Sequence, residues 1–299
     1  MFARRHPFLF FTLVLSAIGA VTVTVIGVLV ALVVGRAGLA ADPAEGPRVG
    51  IVEVSGMIAD ATEILEDLKK MRQDDTIGAI VLRIDSPGGA VAPSQEIFRA
   101  VRQAGKTKKV VASMGAVAAS GGYYAAAAAD GIVASPGTIT GSIGVIMGFA
   151  NFGRLLEKIG LTPVVIKSGD FKDLGSPMRE MKPVERDVLQ RLSDGIHRQF
   201  IRDVAQGRAM AQDRVEALAD GRIYTGEEAQ ALGLVDRLGN LEDAVDWAGE
   251  LAGLPGPVEA VYARPKRFSW LETFIETRLG RLLERTAQGA TVMRMPQAY

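Results

Sequence analysis

Short apolar runs alternate with amphipathic stretches through the middle of the chain. Apolar runs at 49–54, 79–84 and 109–114 are separated by stretches at 63–71 and 93–104, in which apolar residues recur at helical spacing. Runs of this length suit buried strands, and their alternation with helical patterns predicts βαβ units around a parallel sheet. The expected fold class is therefore α/β.

The alternation continues towards the C-terminus with more helix than strand. The further predicted elements are a helix beginning near Ser120, strands at 132–134, 142–147 and 163–167, a helix from Asn151, and helices at 184–207, 213–219 and 241–251. The sequence contains no fixed-period repeat. We therefore expect one folded domain with appendages in the 299 residues.

A long apolar run precedes this domain. The 27 residues from Phe8 to Val34 are uncharged, and as a helix they would be about 40 Å long against a hydrocarbon core of about 30 Å. A cleavable signal peptide is the alternative, but its apolar region would be only about 7–15 residues long. We therefore expect a retained signal anchor. Two arginines precede the run and two follow it, so the charges leave its orientation open.

The composition divides the chain into five parts. These are an N-terminus at 1–7, a transmembrane anchor at 8–34, a linker at 35–48, a folded domain at 49–262 and a tail at 263–299. In the tail, apolar residues from Phe268 to Leu283 recur at helical spacing opposite arginines, which predicts an amphipathic helix. This helix could lie on a membrane, pack on another subunit or dock on its own domain.

Composition excludes several classes of protein. The 34 basic and 34 acidic residues give no basic excess, so we expect no nucleic-acid partner. The chain has no cysteine and hence neither a thiol nucleophile nor a disulfide. His6 and His197 are its two histidines, too few for a zinc site built on histidines. A Ser-His-Asp triad would need His197, which lies in an amphipathic stretch and is expected to be an ordinary surface residue.

Two glycine-containing turns follow predicted strands, where ligands gather in open α/β folds. The first is DSPGG at 85–89, whose paired glycines expose backbone N–H donors, although a tight turn before a helix is the simpler explanation. It lacks the Gly-Lys-Ser/Thr ending of a phosphate loop. The second is SMGAVAASGGYY at 113–124, which places Ser120 where a helix begins. Ser120 is therefore either a helix N-cap or a nucleophile beside the Gly121 N–H and the helix dipole.

A serine nucleophile needs a base, and the scarcity of histidine leaves lysine or a carboxylate. The segment KSGDFKDLGSP at 167–177 offers Lys167 and Lys172 just after a predicted strand. A lysine base needs a buried site that lowers its pKa from about 10.4 to about 7 or 8. The spacing does not choose between the two lysines, and either could be a solvated surface charge.

Five ordered blocks resemble those of the signal peptide peptidase A family, the Ser/Lys peptidases of the S49 group, in its short form with one catalytic repeat. The blocks are DSPGG at 85–89, SMGAVAASGGYY at 113–124, TGSIGVI at 140–146, KSGDFKDLGSPMREM at 167–181 and GRIYTGEEAQALGLVDRLG at 221–239. The resemblance covers about 49–250 and implies a crotonase-like, Clp-protease-like parallel-sheet fold of repeated ββα or βαβ units. Ala116 departs from the pattern, because relatives often carry a polar residue there.

The resemblance also implies roles for individual residues. Ser120 corresponds to the nucleophile, Lys172 to its general base, and Ser142 to a residue that orients the lysine amine. Backbone N–H groups would form the oxyanion hole, those of Gly89, Gly121 and Gly88. Neither a metal nor another cofactor is implied.

The implied activity is that of a membrane-anchored serine endopeptidase that cuts remnant signal peptides and other apolar peptides. The implied location is a bacterial cytoplasmic membrane, with one span, the catalytic domain on the outer side, and a ring-like or dome-like homo-oligomer in which adjacent protomers can share a site. Peptides are expected to bind extended, near Gly88 and Ala116. The alternatives are a stomatin-processing peptidase, a catalytically silent peptide-binding module and a crotonase-type acyl-CoA enzyme.

Overall fold

The chain forms two units, 1–46 and 47–299, and the computed structural model describes residues 7–39 and 48–264 of them. The predicted amphipathic helix of the tail lies outside the described residues. The first unit contains one helix, α1, which spans Pro7–Leu39. The run predicted to be helical at 8–34 is therefore helical, and the helix continues into the predicted linker.

Helix α1 is long and apolar enough to cross a membrane. Its window Phe8–Val25 has a mean hydropathy of 2.3, and among the described helices it is the one that meets this criterion. The hydroxyls of Thr12, Thr22 and Thr24 donate to carbonyl oxygens one turn earlier, at 2.8–3.1 Å. These polar groups are thus satisfied without water, as an apolar surrounding requires.

The second unit contains the strands and the remaining helices. In chain order they are β1 Arg48–Ser55, α2 Thr62–Gln73, β2 Ile77–Ser86, α3 Val91–Ala104, β3 Lys109–Ala119, α4 Gly121–Ala126, β4 Gly131–Ala134, β5 Ile139–Gly141, α5 Gly153–Lys158, α6 Pro183–Gly207, α7 Gln212–Leu218, β6 Ile223–Thr225, α8 Gly226–Ala231, β7 Arg237–Leu238, α9 Leu241–Leu251 and β8 Glu259–Tyr262.

The strands form one mostly parallel sheet. Its order is β6-β5-β3-β2-β1-β8, and a branch of β4 and β7 leaves it at β3. In the centre, Val52 lies opposite Leu82, and Leu82 lies opposite Ala112. Among the described strands, only β5 and β6 pair antiparallel. The parallel sheet with intervening helices is therefore confirmed.

Strand β3 changes neighbours along its length. It pairs with β4 in its first half and with β5 in its last three residues. Between the halves its register against β2 shifts. Ile84 lies opposite Met114, but Ser86, two residues later, lies opposite Ala118, four residues later. Such a bulge bends a strand and increases its twist. The bend turns the end of β3 towards β5 and leads directly to Ser120.

Helices cover both faces of the sheet. On one face, Ile80 and Leu82 of β2 pack in a cluster with buried residues of α2, α3, α4 and α6. On the other face, Ala79 and Val81 pack against α9, which contributes Trp247. Successive strand residues point to opposite faces, so a sheet covered on both sides needs uninterrupted apolar runs. This is why the runs read from the sequence are continuous.

Two predicted strands are wrong for the single chain. Residues 142–147 and 163–167 form neither strand nor helix. The apolar side chains of 164–166 and of Ile146 are exposed, Ile146 and Ile166 each at 97%, whereas Ile143 is fully buried. The composition suits strands, but in the described part of the chain no strand lies alongside either run to pair with it. The segment 144–181 is consequently an exposed, largely apolar arm.

Candidate active site

Ser120 occupies the turn between β3 and α4. Its φ of 52° and ψ of −118° form a conformation that residues with a side chain rarely adopt. Two hydrogen bonds of 2.8 Å hold it there, from Ser120 N–H to Gly141 O and from Tyr124 N–H to Ser120 O. Its hydroxyl makes no capping bond. Ser120 therefore stands at the N-cap position without capping the helix, and its hydroxyl is unused by the helix.

The DSPGG turn packs directly against Ser120. Gly88 has φ +98°, and a Cβ there would lie 2.6 Å from Gly121 N and 2.9 Å from Ser120 Cβ. A Cβ at Gly89 would lie 2.2 Å from Ile58 O. Neither position has room for a side chain: Gly88 permits the close approach of the turn at Ser120, and Gly89 permits that of the backbone at Ile58.

The backbone N–H groups at this contact differ in how they are used. Gly88 N–H donates to the buried Ser86 Oγ at 3.1 Å. Within residues 48–264, the N–H groups of Gly89 and Gly121 donate to no acceptor. They are neighbours, since a Cβ added at Gly121 would lie 3.3 Å from Gly89 N. Two unused donors beside a serine can stabilise the negative charge of an oxyanion.

Ser120 lines a cavity of about 590 Å³, a size typical of ligand-binding clefts. Gly88, Gly89 and Ser142 line the same cavity. Ser142 also has an unusual backbone, with φ 51°, and its N–H donates to Arg222 O at 2.8 Å. The structure thus brings four of the predicted site residues to one cavity, and Gly121 lies against Gly88 at its edge.

His197 also lines this cavity, contrary to the expectation of an ordinary surface residue. It is half-buried, and its Nε2 atom is buried without a hydrogen-bond partner in the described chain. Gln190, Ser193 and Asp194 line the cavity from the same helix, α6. Positions 190, 193, 194 and 197 are three or four residues apart, which places their side chains on one helix face, but this spacing does not indicate what the face meets.

The two candidate lysines lie in different environments. Lys167 Nζ donates to Asp173 Oδ1 at 2.5 Å and to Asp170 O at 2.8 Å. Lys172 is exposed, its amine has no partner in the described chain, and it does not line the cavity of Ser120. The structure therefore assigns Lys167 to an ion pair and leaves Lys172 free, but it does not bring Lys172 to Ser120 within one copy.

An ion-pair chain fixes the turn that carries Lys172. Arg179 Nε donates to Asp173 Oδ2 at 2.9 Å, and its other nitrogens donate to Glu185 at 2.6 and 2.8 Å. Glu185 is buried and also accepts the Lys182 N–H at 2.9 Å. The Arg179 hydrogen bonds hold the pKa of Asp173 well below its usual range and lower the pKa of Glu185 to about 2. The turn is thereby tied to the first turn of α6.

We expect Arg179→Met to lower the Tm of the folded domain at pH 7, because it leaves the buried Glu185 charged without its partner. In the wild type the pKa of Glu185 is depressed, so its stabilising contribution is complete above pH 4.5 and is lost as the pH falls towards about 2. The Tm difference between variant and wild type should consequently narrow below about pH 4. The Tm of each protein is measured at several pH values by thermal unfolding, monitored by circular dichroism.

Arg186→Met removes an exposed arginine from the adjacent helix and is the matched control. It should leave the Tm close to that of the wild type. Equal Tm values for Arg179→Met and the wild type at pH 7 would show that the ion-pair chain contributes nothing to stability.

The described residues include no group of three or more His, Cys, Asp or Glu side chains that could hold a metal ion. The site therefore consists of a serine, backbone donors and the polar face of α6. This arrangement matches nucleophilic chemistry at a carbonyl.

Comparison with known proteins identifies the family. The model of peptidase family S49 matches residues 102–255, just over half of the chain, and the Clp protease model matches residues 49–139. The chain therefore belongs to peptidase family S49, on a Clp-protease-like fold. The family resemblance and the fold class predicted from the sequence are both confirmed.

Individual relatives agree with this assignment. The chain is 49% identical over 215 residues to slr0021 of Synechocystis sp., covering 71% of this chain and 77% of that protein. It is 36% identical over 221 residues to the chloroplastic serine protease SPPA of Arabidopsis thaliana, covering 74% of this chain. It is likewise 36% identical over 221 residues to Protease 4 of Salmonella typhi, covering 70% of this chain. The matches span 32% and 35% of these two longer proteins.

A solved structure, that of a mutant of the 1510-N membrane-bound stomatin-specific protease, aligns with 74% of this chain at 18% identity and a TM-score of 0.49. This likeness is too low to bear on the choice between the peptidase types. The family and its named proteases establish the chain as a serine peptidase, as expected from the sequence.

Proposed function

We propose that Ser120 is the nucleophile of this peptidase and Lys172 its general base. The observation that carries the proposal is the turn at Ser120, where a strained backbone holds an unused hydroxyl beside the unused N–H groups of Gly89 and Gly121. Strain of this kind at a serine with φ 52° is typical of a functional position. Hydrolysis of an apolar peptide by the wild type and a Ser120→Ala variant tests it.

The proposed reaction is acyl transfer in two stages. The neutral Lys172 amine takes the Ser120 proton as the hydroxyl oxygen attacks the peptide carbonyl carbon. The tetrahedral intermediate collapses, the C–N bond breaks, and the lysine returns the proton to the departing amine. Water then attacks the acyl-serine ester while the lysine takes its proton, the bond between the acyl carbon and the serine oxygen breaks, and the lysine returns the proton to Ser120 as the new carboxylate leaves. Ser142 orients the lysine amine by a hydrogen bond.

The oxyanion hole is proposed to consist of the Gly89 and Gly121 N–H groups. Both are free in the described chain and adjacent to each other. Gly88 N–H is the weaker candidate, since it would have to give up its 3.1 Å hydrogen bond to Ser86 Oγ. Losing that bond would leave a buried hydroxyl without a partner. Gly88 therefore acts through its lack of a side chain, which lets the turns meet.

Lys172 is proposed to reach Ser120 from a second copy of the chain. In one copy it is exposed and lies outside the cavity. It sits on the arm at 144–181, whose apolar residues, Ile146 and Ile166 among them, are exposed. A partner that covers this arm would remove both the apolar surface and the lysine amine from water, which a lysine base requires. The proposed assembly is a closed ring or dome of identical subunits.

Helix α1 is proposed to anchor the enzyme in a bacterial cytoplasmic membrane with the catalytic domain on the outer side. The proposed substrates are remnant signal peptides and other apolar, membrane-derived peptides. The proposal is supported by the apolar length of α1 and by the family's named proteases. Extended peptides would lie along the backbone near Gly89 and Ala116. Both residues are exposed, and Ala116 lies on the bulged end of β3.

The anchor makes a direct prediction about extraction from membranes. The full chain should stay in the pellet after alkaline carbonate washing, because about 20 apolar residues suffice to hold a helix in the bilayer. A chain beginning at Ala40 should move to the supernatant. Recovery of the full chain in the supernatant would contradict the anchor while leaving the catalytic site unaffected.

A further inference from the structure

Helix α6 presents a polar face to the cavity that contains Ser120. Gln190, Ser193, Asp194 and His197 line the cavity from this helix. Several of the remaining lining residues are apolar, including Met57, Pro87, Val91, Val145 and Ile146. One wall therefore differs in chemistry from the surfaces around it.

The negative charge on this face is not compensated. Asp194 and Asp220 are the carboxylates that line the cavity, and the described residues lining it include neither lysine nor arginine. Asp220 accepts from Arg222 Nε at 2.7 and 2.9 Å, so its charge is paired. Asp194 accepts one hydrogen bond, from Gln190 Nε2 at 2.7 Å, and has no ion-pair partner in the described chain. Within one copy, a single carboxylate in the cleft is thus without a cationic partner.

A half-buried carboxylate in a cleft with apolar walls attracts cations more strongly than one on an open surface, because the walls focus its field. His197 lies one turn further along α6, and its buried Nε2 also lacks a partner in the described chain. A lysine or arginine side chain would supply a charge for Asp194, and its methylene stem would pack on the apolar walls. The unpaired carboxylate of Asp194 and the apolar walls together point to a ligand with a long apolar stem and a cationic end.

We infer that Asp194 forms a specificity subsite for a basic side chain of the peptide substrate, in the cavity that contains Ser120. The inference rests on the proposed function, since it places the subsite beside the proposed nucleophile. It extends the expectation of apolar substrates, because an apolar peptide with one basic residue would bind better than a wholly apolar one.

The test uses pairs of N-terminally blocked, fluorogenic apolar peptides. The two peptides of a pair differ at one position, which holds lysine in one and Nε-acetyl-lysine in the other. Successive pairs place this position at each residue along the peptide. At one position the wild type should cleave the lysine peptide with the higher kcat/KM. In Asp194→Asn the ratio of the two kcat/KM values should fall by about tenfold, or about 1.4 kcal/mol. The asparagine keeps the shape and can still accept from Gln190, so a packing defect would lower both values together.

Asp187→Asn is the matched control, because Asp187 is exposed on the same helix and does not line the cavity. It removes the same charge and should keep the wild-type ratio. A wild type that does not prefer the lysine peptide at any position overturns the inference, as does a preference that survives in Asp194→Asn or disappears equally in Asp187→Asn. Hydrolysis that persists in Ser120→Ala would instead overturn the proposed function.

Discussion

Replacing Ser120 with alanine is expected to reduce the hydrolysis of an apolar fluorogenic peptide by about 10⁴-fold or more. The reason is that the turn loses the hydroxyl that forms the acyl intermediate. Alanine occupies nearly the same volume as serine. The substitution removes no helix-capping hydrogen bond, because the Ser120 hydroxyl makes none. The loss should therefore appear in kcat, with the folded domain unchanged in thermal unfolding.

Two lysine variants complete this experiment. Lys172→Ala should lose activity to a similar extent, because the serine would have no base. Lys167→Ala is its matched control, since Lys167 is engaged with Asp173 and Asp170 O rather than free. The assignment of the base would be wrong if Lys167→Ala were inactive while Lys172→Ala kept its activity. Full activity of Ser120→Ala would remove the proposed mechanism altogether.

Mixing two inactive variants is expected to restore activity. If the serine of one copy works with the lysine of its neighbour, a co-assembled mixture of Ser120→Ala and Lys172→Ala contains intact sites. A site is complete when its serine comes from a Lys172→Ala copy and its lysine from a Ser120→Ala copy. With equal amounts and random order around a closed ring, about a quarter of the sites are complete. Hydrolysis should therefore recover to about a quarter of the wild-type rate.

The two variants should be co-expressed in one membrane with different tags, so that mixed assemblies can be isolated through both tags in turn. The assemblies of each variant alone provide the background. No recovery in doubly tagged assemblies would show that serine and lysine act within one copy. In that case the arm at 144–181 would have to fold back on its own domain to bring Lys172 to the cavity.

The sheet could be predicted from the sequence because its central strands are covered on both faces. Apolar runs such as 79–84 lie in β2, and α9 spans Leu241–Leu251, as the helical pattern predicted. Shorter elements were missed: β6, β7, β8 and α8 contain two to six residues, too few for a period to be visible.

The strands predicted at 142–147 and 163–167 failed for a different reason. A hydrophobic pattern indicates that a segment has apolar side chains to bury, but it does not indicate whether the same chain or another chain covers them. In one copy Ile146 and residues 164–166 face solvent, although Ile143 is buried in the core. If a second copy covers them, as proposed, the pattern was a correct signal of burial that was assigned to the wrong partner.

The candidate site was predictable where local sequence sets geometry. The DSPGG turn at 85–89 and the Ser-Gly-Gly turn at 120–122 meet because Gly88 carries no side chain. His197 and Asp194 were not found, because a polar face on an amphipathic helix ordinarily faces solvent. Only the tertiary arrangement shows that this face lines the cavity. The choice of Lys172 over Lys167 rests on the family resemblance and stays a prediction, while Lys167 lies in an ion pair with Asp173.

The most direct test of Ser120 as the nucleophile is to locate a covalent adduct. An apolar peptide ending in an electrophilic phosphonate ester should modify the wild-type enzyme once, and mass spectrometry of the digested protein should place the modification on Ser120. Ser120→Ala should remain unmodified. An adduct on Ser142 or on another residue of the active wild-type enzyme, with Ser120 free, would contradict the account.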